Sequence, residues 1–85
     1  MDLTSLREQI DAVDRELTAL FLRRMALSDK IAAVKAAQGL PILQPERERQ
    51  VLHTVCGQAP EELRPAVTRL YGTIFALSRE RQEER

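Results

Sequence analysis

Apolar residues recur through the first half of the chain at alternating intervals of four and three: Leu6, Ile10, Val13, Leu17, Leu20, then Leu27, Ile31 and Val34. This period keeps one stripe of a helix turned toward a partner helix. The unbroken register predicts a single helix over about residues 3–38, opened either by Asp2 or by a Ser5/Glu8 capping box and closed by Gly39-Leu40-Pro41. A second helix is predicted over about residues 45–57. Pro45 suits its first position, Glu46 complements its dipole, and Val51, Leu52 and Val55 form its apolar face. Gly57 to Arg64 contains Pro60 and reads as a turn before a third helix, about residues 64–83, that begins near Pro65. Val67, Leu70, Ile74 and Leu77 are its expected core seam, with Tyr71 and Phe75 beside them. Gly72 in its middle costs about 1 kcal/mol relative to Ala, which close approach of another helix would explain. No alternation of period two and no internal repeat is present. The fold class is all-α, three helices in one domain.

Length makes this pattern more specific. A helix of that extent is on the order of 50 Å long, whereas a compact monomer of 85 residues has a radius of gyration of roughly 12 Å. The long helix must protrude, and the two shorter helices cannot cover its whole stripe. The uncovered remainder predicts an intertwined, antiparallel homodimer.

One position breaks the stripe. Arg24 stands where the four-three register calls for a hydrocarbon, and burying a guanidinium is costly unless an anion meets it. The chain is therefore expected to hold a negatively charged ligand inside a helical bundle. Thirteen basic and thirteen acidic residues cancel, so no global field draws the protein to nucleic acid or to a membrane. Eleven of the cations are Arg and two are Lys. That bias suits a fork for carboxylates or phosphates, and gene base composition would account for it equally. The single cysteine, Cys56, can form no internal disulfide; with no signal peptide or spanning segment, a reducing cytoplasm is expected. Cys56 reads as a small core or interface residue and His53 as a rim residue, and neither a metal nor a cofactor is expected.

Other polar residues crowd the apolar faces. Arg7, Asp14, Phe21, Ser28 and Lys35 repeat every seven positions one step round from the stripe. Glu48 shares the stripe of Val51, Leu52 and Val55 with Arg47 beside it, and Ser78 and Gln82 lie one turn apart. Each alone could be a snorkelling cation, an end-of-helix polar group or a surface ion pair. Arg24 and Lys35 are roughly 16 Å apart along the axis and can lean toward one small ligand. Arg7, roughly 25 Å from Arg24 by the same rise, is either irrelevant to such a pocket or supplied by the antiparallel partner.

The segments Leu6-Arg7-Glu8-Gln9-Ile10-Asp11-Ala12-Val13-Asp14, Leu22-Arg23-Arg24-Met25-Ala26-Leu27, Ile31-Ala32-Ala33-Val34-Lys35, Pro41-Ile42 and Glu46-Arg47-Glu48-Arg49, with Ser78 and Gln82 after them, resemble the all-helical chorismate mutase family. The resemblance implies an intertwined three-helix homodimer that converts chorismate to prephenate by an intramolecular Claisen rearrangement, on the route to phenylalanine and tyrosine. It further implies that Arg24 and Arg7 of the partner subunit grip the substrate carboxylates, helped by Arg47 and Ser78. Lys35 and Gln82 would donate to the ether oxygen, and Glu48 would accept from the ring hydroxyl, with Lys35 assisting. Such a pocket carries a net three positive charges against a dianion, so ligand binding should raise the melting temperature. Gln44 departs from the pattern: relatives often carry an acid there, and its contact with the hydroxyl would fall to an amide or the backbone.

Two alternatives stand beside this reading. Isochorismate pyruvate lyase uses a similar cationic pocket on the same fold, although Glu48 favours the mutase. A non-catalytic helical dimerisation module would pair Arg24 with Asp14, Asp29 or Glu48 of a neighbouring chain. The chain could also be a domain of a bifunctional enzyme, or dock on another shikimate-pathway enzyme. The charge run from Arg79 to Arg85 reads as a solvated helix end.

Overall fold

The structure, a computed structural model, describes residues 2–84. Three helices follow one another: α1 (Leu3–Gln38), α2 (Pro45–Gly57) and α3 (Arg64–Glu83), with a 3₁₀ turn (Glu61–Leu63) before the last. Local chemistry accounts for their ends. Of the two expected starts for α1, Asp2 is the cap, its Oδ1 accepting from the Ser5 amide at 2.7 Å. At the other end Gly39 adopts φ 69°, the one left-handed residue described, and the Leu40 amide reaches back to Lys35 O at 2.8 Å. This is a Schellman stop, for which glycine is the least strained residue. Pro45 opens α2, and the Arg64 guanidinium ties the beginning of α3 to the end of α2 through Cys56 O and Ala59 O at 3.0 and 3.2 Å.

α1 and α2 both pack against α3 and leave a gap between themselves. On α1 the face toward α3 carries Ser28 and Ala32, both buried, and these small residues let the helix axes approach closely. On α3 the buried residues are Phe75, Ser78 and Gln82. Within the single chain the seam expected for α3 is not the face turned inward. Leu70 and Leu77 are exposed, Val67 and Ile74 half-buried, and the chain turns its Phe75-Ser78-Gln82 face inward instead. Gly72 lies in open space, with no atom of the chain within 4 Å of where a Cβ would stand. No helix approaches it within the chain. Among the described residues no helix is long and apolar enough to cross a membrane.

The chain is elongated, 54 × 26 × 15 Å with a radius of gyration of 15.9 Å. Its accessible surface is 6835 Å², against about 5100 Å² for a compact monomer of this mass. Part of the difference lies on the α1 stripe, where Ile10, Val13, Leu17 and Leu20 are each more than half exposed. The shorter helices cover almost none of it, because α3 packs on the Ser28/Ala32 face of α1 and α2 packs on α3 alone.

Candidate active site

The gap between α1 and α2, floored by α3, is a cavity of about 300 Å³, at the lower end of the range for small-molecule sites. Its walls combine apolar side chains, among them Leu27, Ile31, Val51 and Phe75, with the polar residues Arg24, Lys35, Ser78 and Gln82. Gln44, Arg47 and Glu48 border it from α2 and its approach. Seven of the eight candidate residues thus come together within one chain. The eighth, Arg7, is exposed on α1 and does not border the cavity.

Arg24 is half-buried, and none of the ion pairs among the described residues includes it. Its Nη1 donates to Ser78 Oγ at 3.1 Å, and its guanidinium lies 5.8 Å from the Phe75 ring centroid and 5.9 Å from that of Tyr71. The Tyr71 and Phe75 rings meet edge to face at 5.8 Å. Aromatic faces and one hydroxyl partly compensate the charge and leave most of the guanidinium fork unused. An anion entering the cavity would complete it.

Lys35, one helical turn from the end of α1, donates to Ile42 O at 2.6 Å and to Gln82 Oε1 at 3.0 Å. The first bond draws the connecting segment after Gly39 toward the cavity. Burial pushes the Lys35 pKa below its ordinary 10.5, opposed by the weaker attraction of the Glu48 charge. Because an ammonium only donates, the Gln82 carbonyl must face Lys35, and its NH₂ remains available as a second donor. Two adjacent donors, one charged, can thus converge on a single oxygen atom. On the approach to α2, Gln44 Nε2 donates to Pro41 O at 3.0 Å, fixing the bend before Pro45.

The other side of the cavity holds a pair absent from the expectations. Arg79 Nη1 donates to Glu48 Oε2 at 2.5 Å, and Arg79 borders the cavity. Reading the charge run Arg79–Arg85 as a solvated helix end is corrected for Arg79, which is half-buried; Arg81 stays exposed while meeting Asp29 through two hydrogen bonds of 2.8 and 3.1 Å, Gln82 is buried as a site residue, and Arg85 lies outside the described residues. A signal was available: Arg79 stands four residues after Phe75 and three before Gln82, on the same helical face. His53 is exposed as expected, and Cys56 is half-buried with its sulfur 3.4 Å from Thr68 Oγ1. No cluster of His, Cys, Asp and Glu able to hold a metal occurs among the described residues.

The chain is similar to the T-protein of Enterobacter agglomerans, 47% identical over 51 residues that make up 60% of this chain and 14% of that protein. It is also similar to the bifunctional chorismate mutase/prephenate dehydratase of Aquifex aeolicus, 37% identical over 74 residues, 87% of this chain and 18% of that one. A chorismate mutase of Methanocaldococcus jannaschii is 35% identical over 49 residues, 58% of this chain and 50% of its own. The chain therefore spans less than a fifth of the T-protein and the bifunctional enzyme. No solved structure matches at comparable significance. With its helices, its cationic cavity and a family match from residue 6 to residue 83, the chain belongs to the chorismate mutase type II family.

Proposed function

We propose that the protein is a chorismate mutase acting as a homodimer with two shared pockets. The observation that carries this reading is the pairing of a guanidinium that meets no carboxylate among the described residues, Arg24, with a second donor pair, Lys35 and Gln82, in one small cavity. Chorismate is a dicarboxylate whose rearrangement breaks an ether C–O bond and forms a C–C bond within one molecule. The reaction requires no nucleophile and no general base. It requires a compact substrate conformer and stabilisation of the negative charge that gathers on the ether oxygen.

Arg24 binds one carboxylate with Ser78, which its guanidinium already holds, and Arg47 lies at the rim of the same cavity. Arg7 of the partner subunit supplies the grip that the single chain lacks. The Lys35 ammonium and the Gln82 NH₂ donate to the ether oxygen, where their hydrogen bonds strengthen as the bond stretches. Glu48 accepts from the ring hydroxyl, and Gln44 borders that side as a neutral amide. Support for the dimer comes from the surface of 6835 Å² and the exposed stripe on α1. The excess over a compact monomer exceeds the roughly 800 Å² that a standard interface removes from each partner. The name of the Aquifex aeolicus relative, a mutase joined to a dehydratase, supports a further proposal that the domain works beside another enzyme of the same pathway.

Purified protein assayed with chorismate and with isochorismate, alongside sedimentation, tests this reading. Prephenate formation by a dimer is expected. Faster pyruvate release from isochorismate would make the protein a lyase, and a protein inert toward both would be a structural module. As a control, Lys35→Ala should reduce kcat by about 10²–10³-fold, the scale for loss of a donor to developing negative charge.

A further inference from the structure

Four cations border the cavity, Arg24, Lys35, Arg47 and Arg79, and among the described residues only Arg79 pairs with a carboxylate. The pair joins α3 to α2 with the two side chains 32% and 28% exposed, so water screens it less than an open surface pair. Its geometry is one-sided. Arg79 occupies Oε2 of Glu48, and no hydrogen bond to Oε1 occurs among the described residues.

We propose that Arg79 is a positioning residue for Glu48, and this inference rests on the mutase reading above. A carboxylate in a pocket built for a dicarboxylate is a like charge, which opposes binding. Arg79 offsets that charge while leaving one oxygen able to accept the ring hydroxyl. It also fixes the direction of the acceptor, since a guanidinium from α3 holds a flexible Glu on α2. Arg79 thereby acts through Glu48 and makes no contact with the substrate itself. A tie that served only to fasten α2 to α3 would behave differently: its loss would lower the melting temperature without a selective rise in KM.

The test compares steady-state kinetics with chorismate for wild type, Arg79→Met, Arg79→Lys, Glu48→Gln and the double variant Glu48→Gln/Arg79→Met, with circular dichroism to confirm folding. Arg79→Met should raise KM about tenfold, the scale of a hydrogen bond to a charged group, and change kcat by less than about threefold. In the Glu48→Gln background the same substitution should change KM by less than about twofold, because no carboxylate remains to be held. Arg79→Lys, which keeps the charge and loses the planar fork, should recover most of the KM. If Arg79→Met fails to fold, the Lys variant carries the test, with a KM rise of about two- to threefold that vanishes in the Glu48→Gln background. Equal effects in both backgrounds, or an unchanged KM in an active protein, would overturn the inference alone. A wild-type protein that does not convert chorismate would overturn the mutase reading and this inference with it.

Discussion

Lys35 and Gln82, forty-seven residues apart in the chain, meet at 3.0 Å with the lysine as donor and the amide carbonyl as acceptor. The bond joins the last turn of α1 to the last turn of α3 and leaves the amide nitrogen pointing elsewhere. A carboxylate at position 82 would keep the bond to Lys35 but could donate nothing unless protonated. Gln82→Glu should therefore be poorly active near neutrality and gain activity as the pH falls. Rate profiles of the two proteins between pH 5 and 8 check this; parallel profiles would show that residue 82 does not donate in the transition state.

The depressed Lys35 pKa has consequences on the alkaline side. Between its folded value and 10.5 the unfolded chain binds more protons than the folded one, so folding stability rises with pH across that window. Below the window the cost of a buried ammonium applies in full. The stability of wild type relative to Lys35→Met should accordingly improve as pH climbs toward 10.5, as read by denaturant titrations at several pH values. Activity should move the opposite way, with kcat/KM beginning to fall below pH 10.5 as the ammonium is lost. A bound dianion favours the ammonium, so kcat should fall at a higher pH than kcat/KM. Wild type losing stability relative to Lys35→Met as pH rises would contradict the assignment.

Arg24 forms no ion pair among the described residues, and the proposed function gives it a substrate carboxylate. A dicarboxylate inhibitor at about a hundred times its Kd should stabilise wild type by about 2.7 kcal/mol, several degrees of melting temperature for a domain of this size. Arg24→Met should remove most of that shift while leaving the helical signal intact. Thermal melts with and without inhibitor decide the matter, and an undiminished shift in the variant would place the anion elsewhere.

The proposed sharing of pockets across a dimer makes a quantitative prediction for mixed assemblies. Arg7→Ala and Arg24→Ala chains should each be nearly inactive alone. Refolded together in equal amounts, half the dimers are mixed, and each mixed dimer has one pocket with both arginines. Activity should return to about a quarter of wild type. No recovery on mixing would mean that Arg7 serves no pocket across an interface.

The helices were legible in the sequence because their ends are chemically abrupt: Asp2, Gly39 and Pro45 each suit one backbone role, and the structure uses all three. Arg24 was legible because a charge in an otherwise apolar register is conspicuous. The inner face of α3 was less so. Leu70 and Leu77 are more apolar than Ser78 and Gln82, yet they face outward in the single chain, since hydrophobicity alone does not say which of two available surfaces a helix meets first. Arg79 was missed because a long basic side chain among charged neighbours looks solvated. Its partner, Glu48, is thirty-one residues away on another helix, and local spacing carries no trace of that contact.

The bare stripe on α1 also bears on how the protein is made. A chain that leaves Ile10, Val13, Leu17 and Leu20 in water has little reason to hold its first five turns rigid by itself. If that stripe closes only on a second copy, the last stage of folding is a collision, and its rate grows with protein concentration. Recovery from denaturant should then show a slow, second-order phase, and regain of turnover should keep pace with that phase.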